Sequence, residues 1–260
     1  MSEKAIGMAS NICLTAMIIW TAGLTGWAIW IWVKHRKYYL FALIASCLAA
    51  APFDGVLGKL IGVTYRIPDG VPFVQLPQAD VPVWGILVYL GWYCTTIYMF
   101  MVAWERGWSS GAIWKLYGAL VLFDSAVEIL IINAGLYRYV GGQPLRIFEL
   151  PFTVPIFNAA LELFTAVVLR FLVAHTSGMN RILILPVAAG AIFGGNLFMG
   201  GPSVFAVLTN LATPIASLLG LVTVLCSLLT VNFVIRIATT DGRMSRVITS
   251  VGAVQPYVAR

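Results

Sequence analysis

The chain has 260 residues, 60% of them hydrophobic and 10% charged, and its mean hydropathy of +0.92 excludes an ordinary water-soluble domain. The formal charge of +6 does not point to nucleic acid, because the 16 Lys and Arg are scattered between apolar runs without a basic stripe. Cys13, Cys47, Cys94 and Cys226 sit in apolar segments with no C-x-x-C, and His35 and His175 lie beside Arg or Lys or at a segment end, so neither a disulfide framework nor a Cys/His metal site is indicated, and no cofactor.

A bilayer core about 30 Å thick takes about 20 helical residues. On that ruler seven apolar runs predict spans at residues 12–33, 38–61, 83–103, 112–133, 152–174, 182–207 and 211–237. They are long and continuous, which predicts helices and not the short alternating strands of a barrel. The first run ends at Lys34, His35, Arg36 and Lys37 without a small-residue cleavage signal, so it reads as a retained helix. No repeat, low-complexity tract or soluble domain interrupts the pattern. The expectation is an all-α integral membrane protein, residues 1–260 forming a single seven-helix transmembrane domain.

Lys and Arg set the orientation. With the loop at Lys34 to Lys37 in the cytoplasm, only Lys4, Lys59, Arg66, Arg138 and Arg146 fall outside, while the others, including Arg243, Arg246 and Arg260, fall inside. The N-terminus is then outside and the C-terminus cytoplasmic. The two longest loops, 62–82 and 134–151, share the outer face, where they are expected to cap a pocket. In the first, Pro68, Asp69, Gly70, Pro72, Pro77 and Pro82 forbid a helix and predict an ordered, turn-rich lid.

Ten carboxylates occur, and six (Glu3, Asp69, Asp80, Glu105, Glu149 and Asp241) belong to termini, loops or interfaces. Glu105 is expected to pair with Arg106. The other four are intramembrane. Asp54 lies about 10 Å below the outer end of the second span. Asp124 and Glu128, spaced i,i+4, stack on one face of the fourth span. Asn158 and Glu162, another i,i+4 pair, lie about 9 and 15 Å deep on the fifth.

An ionisable group in the apolar core costs a few kcal/mol, so such groups usually face a cavity or a partner. A neutral carboxylic acid beside an ionised one supplies general acid and base chemistry. The candidate catalytic residues are therefore Asp124, Glu128, Asp54 and Glu162, with no metal. Tyr137, Tyr139 and Gln143 of the second outer loop, with Asn158, Tyr89 and Trp92, are the candidate substrate-binding residues. Interhelical hydrogen bonding is the competing explanation for any single acid, and packing or belt positions are the competing explanation for Tyr89, Trp92 and Tyr93. Asn196, Asn210 and Asn232 are compatible with a polar path, and the Gly-rich sixth span with close helix packing.

From Glu128 to Asn158 the sequence reads E-x-x-x-x-N-A-G-L-Y-R-Y-V-G-G-Q-P-L-R-I-F-E-L-P-F-x-x-P-I-F-N. This resembles the family of membrane spirocyclases of the avermectin pathway and their actinobacterial relatives, most specifically at residues 135–144, and more weakly at Pro52 to Asp54 and in the Pro-rich loop leading to Trp84. The resemblance implies a membrane-embedded cyclase acting on a lipophilic natural-product precursor, with closure of a dihydroxy-ketone to a spiroketal and loss of water. It assigns no catalytic residue. The four acids rest on depth and spacing alone.

The expected function is thus metal-independent acid/base cyclisation of a lipophilic small molecule in a bacterial plasma membrane, with the bilayer as partner and no nucleic acid. An integral-membrane terpene cyclase, which starts a carbocation by protonation and guides it over aromatic faces, is the alternative. A small-molecule or proton-coupled transporter is a further one. A retinal-type Schiff base is disfavoured because the last span holds no Lys.

Overall fold

The computed structural model describes residues 2–76 and 79–240. The predicted Pro77, Asp241, Arg243, Arg246 and Arg260 features lie outside them. Seven helices are long and apolar enough to cross a membrane: α1 (Glu3–His35), α2 (Tyr39–Ile61), α3 (Val83–Glu105), α4 (Ser110–Asn133), α5 (Thr153–His175), α6 (Gly178–Leu208) and α7 (Thr213–Thr239). The protein is a multi-pass helical bundle, in line with the seven predicted runs.

The largest boundary difference is at α1, which begins nine residues before the predicted 12. Its start is fixed locally: the Ser2 side chain accepts from the Ala5 N–H at 3.3 Å, and Glu3 sits in the first turn, where the helix dipole favours a negative charge. Apolar periodicity does not register these polar first turns.

Helix α5 is the centre of the bundle, its span window 61% buried against 6% for α1. It packs on α6, α7, α3 and α4. Gly195 and Gly200 let α6 approach Leu161 and Phe157 of α5 closely, the small-residue packing that holds helices together in lipid. Helix α1 is peripheral and packs chiefly on α3, pinned there by Trp84 Nε1 donating to Ser10 Oγ at 2.9 Å and Trp20 Nε1 to Thr95 Oγ1 at 3.0 Å.

The strictly all-α expectation needs amending at the cap, where short strands form. β1 (Val63–Tyr65) pairs antiparallel with β4 (Tyr137–Tyr139), β2 (Phe73–Leu76) with β3 (Ala79–Pro82), and β5 (Arg146–Ile147) with β6 (Leu150–Pro151). Pairing of β1 with β4 in the register Val63 to Tyr139 and Tyr65 to Tyr137 joins the two long loops on one face of the bundle. Helix α2 ends at Gly62, whose φ of 76° suits a residue without a Cβ. The Gly62 carbonyl then accepts from Val140 N–H at 2.7 Å, which seats the second loop on the first.

At the opposite end Glu105 does not pair with Arg106 as predicted. Its Oε2 lies 3.4 Å from Lys37 Nζ and accepts from the Tyr39 hydroxyl at 3.4 Å. The α1–α2 connection brings Lys37 across to the foot of α3, and Arg106 already lies beyond the helix end.

Candidate functional site

Under the β1–β4 cap lies a cavity of about 450 Å³. Asp54, Asp124 and Glu128 line it together with Tyr89, Trp92, Tyr137, Tyr139 and Asn158. Eight of the ten predicted site residues thus meet at one cavity. A larger open groove of about 1120 Å³ runs along the outward surface of α1, but its charged residues are Glu3, Lys4 and Asp69, and the membrane-embedded acids do not reach it.

Two irregular turns aim the side chains. Pro52 removes a backbone donor from α2, and residues Ala51–Phe53 tighten into a 3-10 turn, after which Asp54 opens the last helical segment. In α3 a π-helical turn at Tyr89–Tyr93 widens the helix at the depth of the cavity. Such turns recur at functional sites because they re-aim side chains. Here Tyr89 and Tyr93 stack with ring centroids 5.1 Å apart, both lining the cavity with Trp92.

Each carboxyl has its own holder. Asp54 accepts from the Tyr65 hydroxyl at Oδ2 (2.9 Å) and from the Tyr89 hydroxyl at Oδ1 (3.0 Å), so β1 and α3 fix both of its oxygens. On Glu128 the Tyr137 and Tyr139 hydroxyls both donate to Oε2, the latter at 3.0 Å, while Oε1 takes no hydrogen bond from a described residue. Asp124 Oδ2 accepts from Asn158 Nδ2 at 3.3 Å, and Asn158 Oδ1 in turn accepts from the Tyr93 hydroxyl at 3.3 Å. Among the described residues no three of His, Cys, Asp and Glu come close enough to share an ion. The acids therefore stand around the cavity and do not form one tight cluster.

The phenols of the cap are electrostatically distinct from free tyrosine. Burial pushes Tyr65, Tyr137 and Tyr139 well above the ordinary value of 10.0, and the adjacent carboxyls, Asp54 for Tyr65 and Glu128 for the other two, push them further. They are neutral donors across the physiological range.

The two remaining predicted residues lie elsewhere. Gln143 is not in the cavity lining: its Nε2 donates to the Ile61 and Val140 carbonyls at 2.9 and 2.7 Å and clamps the two loops together. The reason is that the chain turns at Gly141 and Gly142 and carries Gln143 back toward the end of α2. Glu162 is also absent from the lining, being one turn deeper on α5 than Asn158, only 1% exposed. Its polar neighbours Trp92 and Thr96 face it, yet neither makes an aligned hydrogen bond, and among the described residues both of its oxygens lack a hydrogen-bond partner.

Sequence reasoning missed Tyr65, Trp20 and Trp84, and assigned Tyr93 no role in the site; all four line the cavity. Tyr65 lies in a loop without periodicity, and its place opposite Tyr137 comes from the long-range pairing of β1 with β4, which no local pattern announces. Asn196 does reach the cavity, while its Nδ2 donates to the Ile192 carbonyl at 2.9 Å.

Chemically, the site sets oxygen acids and neutral phenol donors beside Trp, Phe and Met surface in one cavity. Comparison of the chain with family models, with curated proteins and with solved structures gives no match.

Proposed function

We propose that this protein is a membrane-embedded cyclase that closes a lipophilic precursor by carboxyl acid/base chemistry, with spiroketal formation and loss of water as the leading reaction. One observation carries the reading: three carboxyls from α2 and α4, each held by a phenol or an amide, face a single aromatic-lined cavity. The sequence resemblance at residues 135–144 points the same way, and Tyr137 and Tyr139 of that stretch are the residues that hold Glu128.

The roles follow from the hydrogen bonds. Asp124 and Glu128, one helical turn apart, each keep an oxygen without a donor among the described residues and hold the transferable proton. Protonation of a hemiketal hydroxyl lets it leave as water. The substrate's second hydroxyl then attacks the oxocarbenium carbon, and its proton passes to the carboxylate left behind, so the acid is regenerated. Asp54, with both oxygens fixed by phenols, sits across the cavity as a set negative charge that favours the developing cation. The N-terminus outside and the cap on the outer face of a bacterial plasma membrane complete the proposal.

The wall of Trp20, Trp84, Trp92 and five tyrosines favours one second reading, a terpene cyclase whose carbocation is guided over aromatic faces. Metabolite comparison between cells with and without the gene separates the two. A product lighter by one water supports spiroketal closure, and an isomer of unchanged mass supports carbocyclic closure. Identical metabolite profiles, with the protein present in the membrane, reject cyclase function.

A further inference from the structure

The cavity has a side opening. Its wall on α1 is Cys13, Ala16, Met17 and Trp20, one helix face at i, i+3, i+4 and i+7, and its wall on α4 includes Phe123, Val127, Leu130 and Ile131. Several of these cavity-lining residues also lie on the outside of the bundle: Phe123 is 52% and Leu130 68% exposed, and Ala16 is exposed. Helix α1 is pinned to α3, and α4 packs on α3, α5 and α7, so α1 and α4 form no packed seam with each other.

The slot between them has two ends. At the capped end Ile6 of α1, 1% exposed, closes over Gly135, where the chain leaves α4. At the deeper end Trp92 bridges the gap, edge-on to Trp20 of α1 at 6.2 Å and stacked on Phe123 of α4 at 5.3 Å. From Ile6 to Trp20 the slot runs about 21 Å along α1, a helix long and apolar enough to span, and the cavity wall on it is Cys13, Ala16, Met17 and Trp20. The cap, by contrast, is closed by the paired β1 and β4 strands and the Gln143 clamp.

We infer that the substrate enters the cavity sideways from the bilayer, through the slot between α1 and α4, and is therefore a membrane-dissolved, single-chain amphipathic molecule. Its hydroxyl or carbonyl end reaches Asp54, Asp124 and Glu128, and its hydrocarbon lies between Met17 and Val127. This rests on the cyclase reading for the reacting end only; the route follows from the slot itself. An enclosed volume of about 450 Å³ matches a drug-sized ligand, and the open side leaves a longer tail in lipid. A water-borne substrate would need an opening through the cap.

The test reads occupancy and not turnover. A long-chain vicinal diol with a mid-chain diazirine is dissolved in vesicles containing the protein, photolysed, and its adducts mapped by mass spectrometry. Adducts are expected on the slot residues of α1 and α4 and at the buried inner cavity residues Tyr89 and Tyr139. Ala16→Trp and Val127→Trp, each narrowing the slot from one side, are expected to lower the inner adducts about tenfold. Ile19→Trp, on the exposed side of α1 away from the slot, leaves them unchanged and reports that the added indole itself does no harm. Inner adducts that persist undiminished in both narrowed variants, or that never form in the parent protein, overturn the lateral route. Labelling that persists in a protein forming no product counts against the cyclase reading and not against the route, so the two failures are read separately.

Discussion

The phenols of Tyr65, Tyr137 and Tyr139 predict how the fold fails in alkali. Burial, with the neighbouring carboxyls of Asp54 and Glu128 second, holds all three well above their ordinary value of 10.0. In the unfolded chain they ionise near pH 10. Above that pH the folded protein keeps protons that the unfolded chain releases, so stability falls as pH rises; below it the contribution is fully present. Each retained proton is worth about 1.4 kcal/mol per pH unit, and the three together contribute a slope of up to about 4 kcal/mol per unit. That is a large fraction of a total stability of about 5–15 kcal/mol, so cap and bundle are expected to open within one or two units. The assay is denaturant unfolding in detergent micelles from about pH 8 to about pH 11, with helical circular dichroism followed beside phenolate absorbance. Replacing the three by Phe should flatten the slope by about 1.4 kcal/mol per pH unit for each residue. Should phenolate absorbance for these residues rise near pH 10 while the helical signal holds, the cap is wet and the reasoning fails.

Three further outcomes follow from the same geometry. Asp124→Asn and Glu128→Gln are expected to abolish product formation while leaving yield and detergent unfolding near those of the parent; native-rate conversion by both would make the acidic stripe structural. Gln143→Leu leaves the Ile61 and Val140 carbonyls without their donor and should lower unfolding free energy by about 2 kcal/mol, with turnover per folded molecule retained, since Gln143 clamps and does not bind. Glu162→Leu removes a carboxyl with no hydrogen-bond partner among the described residues and is expected to be neutral or stabilising by about 1 kcal/mol; a loss above about 2 kcal/mol in the same unfolding assay would mean that Trp92 and Thr96 bond it after all.

The span number was legible because twenty-residue apolar runs leave little ambiguity, and the meeting of Asp54, Asp124 and Glu128 at one cavity was legible because helical rise puts them at similar distances from their helix ends. That Asp124 and Glu128 share a face followed from their spacing. Which way Glu162 faces did not. Spacing places it on the same stripe as Asn158, but helix α5 is enclosed on several sides, and one turn decides between cavity and core. The π-helical turn at Tyr89–Tyr93 was invisible because no residue type compels it, so tyrosines with the composition of a belt became cavity walls. The strands of the cap depend on pairing between segments 11 residues past Asp54 and 9 past Glu128, and such long-range pairing leaves no local pattern to read.

Why the acids sit where they do can be argued from what holds them. Among the described residues Asp124–Asn158, Tyr89–Asp54 and Tyr93–Asn158 join helix to helix, as polar glue would, but both bonds to Glu128 come from the cap. All five tyrosines of the cavity donate toward the acids, four to a carboxyl and Tyr93 to the amide beside one, and three of the donors come from the cap. A carboxyl bonded from above by a loop and open below to a hydrocarbon-lined space gains little for helix association. It does gain a fixed direction. Fixed direction is what an acid must have if it is to meet a substrate's oxygen and not a neighbouring helix, and the slot between α1 and α4 supplies the side from which that oxygen arrives.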